Sequence, residues 1–172
     1  MTQMTTHPTD HTVRQLSSDD AEAFRALRLE SLRVHPEAFG ASYEEECDLP
    51  LSDFVAQLDR FTVFGGFVGA SLAGIAMLQR NAQKKRQHVA MVWGMYVREE
   101  QRGTGLARSI LDAVIARAEQ EVDQLELYVA VSNPRANRLY QALGFERFGV
   151  MRRSLRVGGV DHDADMMVKI FR

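Results

Sequence analysis

One stretch in the second half of the chain repeats apolar residues at every fourth position, and it constrains the fold more than any other feature. This period predicts a helix with a wide apolar face over residues 104–122. Short apolar runs on both sides predict strands at residues 88–97 and 125–131. The helical series consists of Leu106, Ile110, Val114 and Ala118, flanked by Leu111 and Ile115.

Strand and helix patterns continue on both sides of this unit. Glycine turns separate paired apolar runs into two hairpins, and Asn133-Pro134 opens a helix that Gly144 ends. The order β, α, α, β, β, β, α, β, α, β, β predicts an α/β domain with a mixed sheet of about seven strands and helices on both faces. The other predicted elements are a strand around Val13, a helix from Ser17 to His35, a loop or irregular helix over 39–50, a short helix capped by Ser52 and ending near Leu58, and hairpin strands at 61–68 with 72–79 and 145–155 with 160–170.

Length and composition favour a single domain. The chain has 172 residues, of which 45% are apolar, and residues 1–11 are expected to be flexible. A formal net charge of -2 argues against general nucleic-acid binding. No apolar run approaches the roughly 20 residues of a membrane span, the start lacks the apolar segment of a signal peptide, and the single Cys47 cannot form an internal disulfide. We therefore expect a cytoplasmic protein without membrane or nucleic-acid partners.

A glycine-rich loop joins the strand at 88–97 to the long helix. Gly103 and Gly105 precede the helix, and glycine lets backbone N–H groups approach an anion closely. The helix N-terminus adds about half a positive charge. The loop is therefore predicted to bind phosphate oxygens, although the same glycines could form a tight strand-to-helix turn and nothing more.

Two common phosphate-binding motifs do not fit this loop. A dinucleotide fingerprint that begins at Gly103 needs a third glycine where Arg108 stands, and a P-loop needs a Gly-Lys-Ser/Thr sequence that is absent. These failures disfavour a general nucleotide-binding protein. The spacing Arg102-x-x-Gly105-x-Ala107 instead resembles the acetyl-CoA pyrophosphate loop of the GNAT superfamily of N-acetyltransferases.

A second motif follows the next predicted strand. Residues 133–145 match the N-x-x-A-x-x-x-Y-x-x-x-G-F pattern of the same superfamily, and the two motifs stand in the family order. The resemblance covers the chain from about Phe61 to the end. It implies that the parallel strands 88–97 and 125–131 splay apart around the pantetheine arm of acetyl-CoA. Gly94 in the first of them predicts a bulge or a close approach of the backbone to a ligand.

The resemblance also implies a set of site residues. Tyr140 would be the catalytic residue, as the general acid that protonates the coenzyme A thiolate. Acetyl-CoA would be the co-substrate, and an amine would be the acceptor. From the residues alone, Tyr140 could equally be a packed aromatic side chain and Asn133 a helix N-cap. The residues implied to bind acetyl-CoA are Met95, Tyr96, Val97, Arg102, Gly103, Thr104, Gly105, Leu106, Ala107, Asn133, Asn137 and Tyr140.

The sequence does not identify a general base. Many family members carry a glutamate on the strand before the pyrophosphate loop, but residues 88–97 contain no carboxylate. His88, a residue within 43–46, or a water chain to the backbone are the candidates. The run Glu44-Glu45-Glu46 is either a solvated surface or a means of attracting a cationic acceptor. The missing base leaves a catalytically silent acyl-CoA-binding regulatory module as the alternative function.

Three further features concern ligands and partners. Asp161, Asp163 and Asp165 resemble the start of a calcium loop, but Met166 and Arg172 occupy the positions of its glycine and closing glutamate, so no metal is expected. The C-terminal strand, which includes residues 168–171, could pair with a second subunit and form a homodimer. The acceptor remains open among peptide N-termini, lysines, polyamines, amino acids and small antibiotics.

Overall fold

The computed structural model describes residues 10–172, and within this range seven strands form one mixed sheet. The strands are β1 (His11–Gln15), β2 (Thr62–Val68), β3 (Ser71–Arg80), β4 (Val89–Val97), β5 (Gln124–Ala130), β6 (Glu146–Val157) and β7 (Val160–Ile170). Their spatial order is β1-β2-β3-β4-β5-β7-β6. Neighbouring strands pair antiparallel except β4 and β5, which pair parallel. The predicted mixed-sheet class is confirmed.

Helices cover both faces of the sheet. Along β3, Ala76 and Leu78 belong to one buried cluster and Ile75 and Met77 to another, because successive strand residues point to opposite faces. The first cluster contains α4 and α5, and the second contains α1 and α3. The helices are α1 (Ala21–Val34), α2 (Tyr43–Glu46), α3 (Leu51–Arg60), α4 (Leu106–Glu121) and α5 (Pro134–Ala142). None of the helices within residues 10–172 is long and apolar enough to cross a membrane.

The two parallel strands separate soon after they begin. β4 and β5 pair only at Val89–Met91 with Gln124–Glu126, although β4 continues to Val97 and β5 to Ala130. Beyond Met91, the β5-facing side of the β4 backbone therefore has no strand partner. The splay that the family resemblance implies is present, and it opens toward the turn that precedes α4.

Gly94 forms a bulge in β4. The β3–β4 register shifts at this point, so that Tyr96 pairs with Ile75 but Trp93 pairs with Met77. Gly94 has a φ of 62°, and a Cβ at this position would lie 3.1 Å from Cε of Met77. Glycine is required here because a side chain would meet both backbone strain and a close neighbour.

Two predictions about the segment before β2 need adjustment. Residues 39–50, predicted as loop or irregular helix, contain the single-turn helix α2, whose N-cap Ser42 accepts a hydrogen bond from the backbone N–H of Glu45 at 3.3 Å. The assignment of Ser52 as the cap of the next helix is wrong. α3 begins at Leu51, and its N-cap is Pro50, whose fixed φ suits a helix start.

The prediction that the C-terminal strand offers a free edge to a second subunit is also wrong. β7 lies between β5 and β6, and both of its edges are paired. The edge strands of the described sheet are β1 and β6. A homodimer remains a prediction without that strand as its basis. Most of the N-terminal segment expected to be flexible, residues 1–9, lies outside the described residues, and β1 begins at His11.

Candidate functional site

The turn between β4 and α4 presents backbone amides that have no partner. Gly103 and Gly105 have positive φ angles of 80° and 92°, and Gly105 is the N-cap of α4. Within residues 10–172, no acceptor takes the amide hydrogens of Gly103, Gly105 and Ala107. These N–H groups lie at the positive end of a 16-residue helix, which is the arrangement that binds anions.

Two arginine side chains differ in their relation to this turn. Nη2 of Arg135 lies 3.7 Å from the position that a Cβ of Gly103 would occupy, so its charge flanks the turn. Arg102 points back toward β4. Its Nε donates to the backbone oxygen of Val97 at 3.4 Å, and its Nη2 donates to Nε2 of His35 at 2.8 Å. Arg135 therefore adds positive charge beside the turn, whereas Arg102 joins the end of β4 to the segment after α1.

A cavity of about 300 Å³, called cavity A here, adjoins this turn. It lies where β4 and β5 no longer pair, so it meets the free side of the β4 backbone at residues 95–97. α5 forms another wall. The predicted site residues that line it are Met95, Tyr96, Val97, Arg102, Ala107, Asn133 and Tyr140.

Tyr140 supplies a buried phenol to cavity A. The residue is 7% exposed, and its ring packs edge-on against Phe145 with 5.8 Å between the ring centroids. Burial raises the pKa of the Tyr140 hydroxyl to about 12, because a buried phenolate would lose its hydration. The side chain is therefore both a packed aromatic and a hydroxyl that keeps its proton at neutral pH.

Five of the predicted site residues do not line cavity A. Leu106 is fully buried in the core, where its side chain serves packing. Nδ2 of Asn137 donates to the backbone oxygens of Ala130 and Asn133, at 3.3 and 3.1 Å, and so fixes the turn from β5 to α5. Asn133 also caps α5 by accepting from the N–H of Ala136 at 3.1 Å. The five are Gly103, Thr104, Gly105, Leu106 and Asn137.

Side chains that the sequence analysis did not single out complete cavity A. An arginine can only donate, so Nε2 of His35 accepts from Arg102, and a neutral His35 ring carries its proton on Nδ1. Nδ1 lies 3.5 Å from Oε1 of Glu37. The Glu37 side chain is 38% exposed and lines the cavity. This chain of contacts holds a carboxylate opposite the parted strands.

A second hydroxyl near the site is fully engaged. Tyr96 donates to Oε1 of Glu30 at 3.0 Å, and Nε of Arg98 donates to both oxygens of the same carboxylate at 3.1 and 3.2 Å. Burial first, and then the hydrogen bond to Glu30, raises the pKa of Tyr96 to about 12. These contacts tie β4 to α1, so Tyr96 borders cavity A with its hydroxyl already committed.

A larger cavity of about 480 Å³, called cavity B here, adjoins cavity A. Both cavities are lined by Glu37, Ala38, Phe39 and Ala130, so ligands in the two would be neighbours. Cavity B lies beside the part of β4 that precedes the bulge. Its charged and aromatic lining outside the shared residues includes Arg28, Arg60, Phe61, Trp93, His162 and Asp163.

A buried ion pair supports one wall of cavity B. Nε and Nη2 of Arg28 donate to the two carboxylate oxygens of Glu46 at 3.0 and 2.8 Å. Arg28 is 2% exposed, and its guanidinium lies 5.7 Å from the ring centroids of both Phe39 and Trp93. The pair fixes α2 on α1 and holds the guanidinium near two aromatic rings that line the cavity.

The candidates for a general base lie in different surroundings. His88 is exposed and precedes β4 at the end where β4 and β5 are paired, about 20 Å along the strand from Met95. Within the acidic run, Glu44 is exposed, Glu45 accepts from the N–H of Ser42, and Glu46 holds Arg28. None of these four residues lines either cavity. Glu37 is the carboxylate at their junction.

The aspartates near the C-terminus pair with arginines. Asp161 contacts Arg156 at 2.6 Å, and the buried Asp165 contacts Arg147. Asp163 accepts from the backbone N–H of Arg153 at 2.8 Å. In the described part of the chain, no group of three or more His, Cys, Asp or Glu side chains is arranged to hold a metal ion.

Two of the missed residues left a signal in the sequence. Arg28 interrupts the apolar face of α1, between Leu27 and Leu32, where a charged residue needs a buried partner. Arg135 lies in the first turn of α5, where a cation opposes the helix dipole and an anionic ligand would relieve that opposition. His35 and Glu37 left none, because they follow α1 in a segment without periodicity.

The chain matches a family model described as the acetyltransferase (GNAT) family over residues 19–145. A mycothiol acetyltransferase of Thermobispora bispora is 32% identical over 134 residues, which cover 76% of this chain and 44% of that protein. The chain thus spans less than half the length of this curated relative.

Solved structures share the fold at low sequence identity. The acetyltransferase of GNAT family from Streptococcus pneumoniae has a TM-score of 0.83 at 20% identity, over 94% of this chain and 99% of that one. YncA, a putative acetyltransferase from Salmonella typhimurium solved with its cofactor acetyl-CoA, gives 0.83 at 17% identity over 95% of both chains. The ribosomal-protein-alanine N-acetyltransferase from Brucella melitensis gives 0.80 at 22% identity, over 92% of this chain and 99% of that one.

Proposed function

We propose that this chain, which belongs to the acetyltransferase (GNAT) family, transfers the acetyl group of acetyl-CoA to a primary amine of a small molecule or peptide, by direct attack in a ternary complex. One observation carries the proposal. A turn of unpartnered amides at the start of α4 adjoins a cavity between parted strands, and a second cavity meets the first at a carboxylate. Two adjoining sites are what transfer between two bound substrates requires.

The residues around cavity A fit acetyl-CoA as the first substrate. The amides of Gly103, Gly105 and Ala107 and the guanidinium of Arg135 would hold the pyrophosphate. The free β4 backbone at residues 95–97 would hydrogen-bond the pantetheine amides and polarise the acetyl carbonyl. When bound there, acetyl-CoA supplies an activated thioester.

Glu37 and Tyr140 would move the protons. Glu37 takes a proton from the ammonium form of the acceptor, so that its nitrogen can attack the acetyl carbon. As the C–N bond forms and the C–S bond breaks, Tyr140 gives its proton to the sulfur. The acylated nitrogen loses one proton, which restores the Tyr140 hydroxyl, and Glu37 releases its own proton to solvent.

The pKa of the acceptor amine determines what fraction of it Glu37 must deprotonate. At pH 7 a peptide α-amine with a pKa near 7.8 is about 14% neutral, whereas a lysine amine with a pKa near 10.4 is about 0.04% neutral. A single half-exposed carboxylate is a sufficient base for the first class of amine. This difference favours α-amines over lysine side chains as acceptors.

The decisive assay measures release of free coenzyme A thiol from acetyl-CoA across a panel of primary amines. We expect amine-dependent release and an N-acetylated product identified by mass. A chain that binds coenzyme A but releases no thiol with any amine would instead be the catalytically silent module. The sequence suggested that alternative because β4 lacks a glutamate, and Glu37 is the carboxylate that we propose in its place.

The role of Glu37 is tested with Glu37→Gln. We expect kcat/KM to fall by about 10²-fold at neutral pH, because the acceptor must then lose its proton to solvent. The deficit should shrink as the pH rises toward the pKa of the amine. Glu22→Gln, which changes an exposed carboxylate on α1 that lines neither cavity, is the matched control. Equal pH profiles for Glu37→Gln and Glu22→Gln would assign the base elsewhere.

A further inference from the structure

Two buried hydrogen-bond donors on one wall of cavity B have no acceptor in the described protein. They are Nη1 of Arg28 and the indole Nε1 of Trp93, and both side chains line the cavity. Buried donors in folded proteins nearly always have a partner. Two that lack one on the same wall of the same cavity indicate that a ligand supplies the acceptor atoms.

The arrangement of Arg28 leaves one edge of its guanidinium for this ligand. Glu46 occupies Nε and Nη2 and compensates the buried charge. Nη1 lies on the opposite edge, and the two hydrogen bonds to Glu46 fix the plane of the guanidinium. The remaining donor is therefore held in one orientation before any ligand arrives.

The same wall continues with further aromatic and cationic groups. The rings of Trp93 and Phe61 meet edge to face with 5.0 Å between their centroids, and Arg60 lies 5.1 Å from the centroid of Phe61. All three line cavity B. Arg60 is exposed, so it adds a cation at the rim, whereas the unpaired donor atoms of Arg28 and Trp93 are buried.

The acidic groups of cavity B are paired with arginines or lie at its junction with cavity A. Asp163 accepts from the N–H of Arg153 and lies 3.5 Å from the guanidinium of Arg152. Glu37 lies at the junction with cavity A. The cavity therefore has a carboxylate at its junction with cavity A and unpaired donors in the side chains of Arg28 and Trp93.

We propose that cavity B binds an acceptor that carries a carboxylate as well as the reacting amine, so that its substrate class is amino acids. Arg28 Nη1 and Trp93 Nε1 donate to the carboxylate, Arg60 strengthens its attraction at the rim, and the amine faces Glu37. This inference rests on the proposed function, because it assigns cavity B to the acceptor. A volume of about 480 Å³ accommodates an amino acid or a short peptide end.

Binding can be measured without turnover, because Trp93 is the single tryptophan of the chain. With coenzyme A bound, the full chain is titrated with L-leucine, with L-leucinamide, and with the peptide Asp-Ala-amide, while tryptophan fluorescence is recorded. We expect a saturable change with L-leucine and at least tenfold weaker binding of L-leucinamide. Tighter binding of Asp-Ala-amide than of L-leucine would mean that the carboxylate belongs to an acidic peptide end, and equal binding of the acid and its amide would overturn the proposal.

Turnover tests the same wall through two variants. Trp93→Phe removes the indole N–H and keeps an aromatic ring. The measured quantity is the ratio of kcat/KM for an amino acid to kcat/KM for its amide, with each rate normalised to the fraction of neutral amine. We expect this ratio to fall by about tenfold in Trp93→Phe. Arg60→Gln should raise KM for the acid about threefold more than for the amide. Arg33→Gln, an exposed arginine that lines neither cavity, carries the same charge change as a control.

The outcomes separate the two proposals. Carboxylate-dependent fluorescence without thiol release would keep amino acids as ligands of cavity B and reject the transferase function. Thiol release that is equal for acids and amides, in the parent chain and in Trp93→Phe, would keep the function and reject the substrate class.

Discussion

Cavities A and B meet at Glu37, but they are built from different parts of the polypeptide. Cavity A depends on the backbone, because it joins a turn of positive-φ glycines to a strand side without a partner. Cavity B depends on side chains, because its donors come from Arg28 on α1 and Trp93 on β4. A backbone site needs particular residues at fixed spacing, whereas a side-chain site needs only that distant segments pack together.

This difference separates a backbone feature, the amide turn, from the side chains of cavity B that are particular to this chain. Under the proposed function, the amide turn would serve any acyl-coenzyme A, since it would contact the pyrophosphate that all such molecules share. The side chains of cavity B come from other segments of the chain than that turn. We therefore expect mutations around cavity A to affect coenzyme affinity and chemistry, and mutations in cavity B to affect stability and acceptor choice.

The largest effect is expected from breaking the ion pair behind cavity B. Arg28→Met leaves Glu46 as a buried unpaired carboxylate, and we expect it to lower the free energy of unfolding by about 3–5 kcal/mol. The double variant Arg28→Met/Glu46→Met should recover most of this loss while it abolishes the preference for carboxylate acceptors. Chemical denaturation measures the free energy of unfolding of both variants. A loss below about 1 kcal/mol in the single variant would mean that Glu46 remains hydrated.

The next effect concerns chemistry in cavity A. Tyr140→Phe removes the hydroxyl and keeps the packing on Phe145, so we expect kcat to fall by about 10²-fold with little change in coenzyme A affinity. Tyr43→Phe serves as the control, because Tyr43 packs on the α1 side outside both cavities. Full kcat in Tyr140→Phe would remove Tyr140 from the mechanism.

A smaller effect should follow when a side chain is added in the amide turn. Gly105 has a φ of 92°, so Gly105→Ala strains the turn, and we expect coenzyme A affinity to fall about tenfold, or ~1.4 kcal/mol. Gly69→Ala is the matched control, because Gly69 also has positive φ in a hairpin turn with nothing within 4 Å of its Cβ position. Calorimetry should find unchanged affinity in Gly69→Ala. Similar affinity in both variants would exclude the turn as the pyrophosphate site.

The smallest expected change is in the pH profile of cavity A. Because burial raises the pKa of Tyr140 to about 12, the hydroxyl stays protonated well above pH 10, where an ordinary tyrosine would be half ionised. We expect kcat at saturating substrates to change less than twofold from pH 8 to pH 10, after correction for spontaneous thioester hydrolysis. A decline with an apparent pKa near 10 would mean that the hydroxyl is hydrated in the complex.

Most of the fold could be predicted, because its signals are local. The period of α4, the glycine turns of the hairpins and the Asn-Pro start of α5 each depend on neighbouring residues, and all are present. The errors arose where tertiary structure decides. Ser52 resembled an N-cap, but the N-cap of α3 is Pro50. β7 is the last strand in sequence order, yet it lies inside the sheet.

The site divides in the same way. Two spaced motifs contain the residues of the amide turn and part of the lining of cavity A, including Arg102, Asn133 and Tyr140. Glu37 was not found, because its position depends on where the segment after α1 packs against the parted strands. Arg28 and Trp93 lie 65 positions apart in the numbering, and no local pattern predicts that their free donors share one cavity.

The bulge at Gly94 changes the parity of β4. Before it, Ala90 and Val92 face the α4 side, and after it, Met95 and Val97 face that side, while Trp93 and Tyr96 face the other. One additional residue thus lets a single strand send Met95 into cavity A and Trp93 into cavity B. Removing that residue would exchange the two faces of every following position in the strand, so Met95 and Trp93 would no longer reach separate cavities.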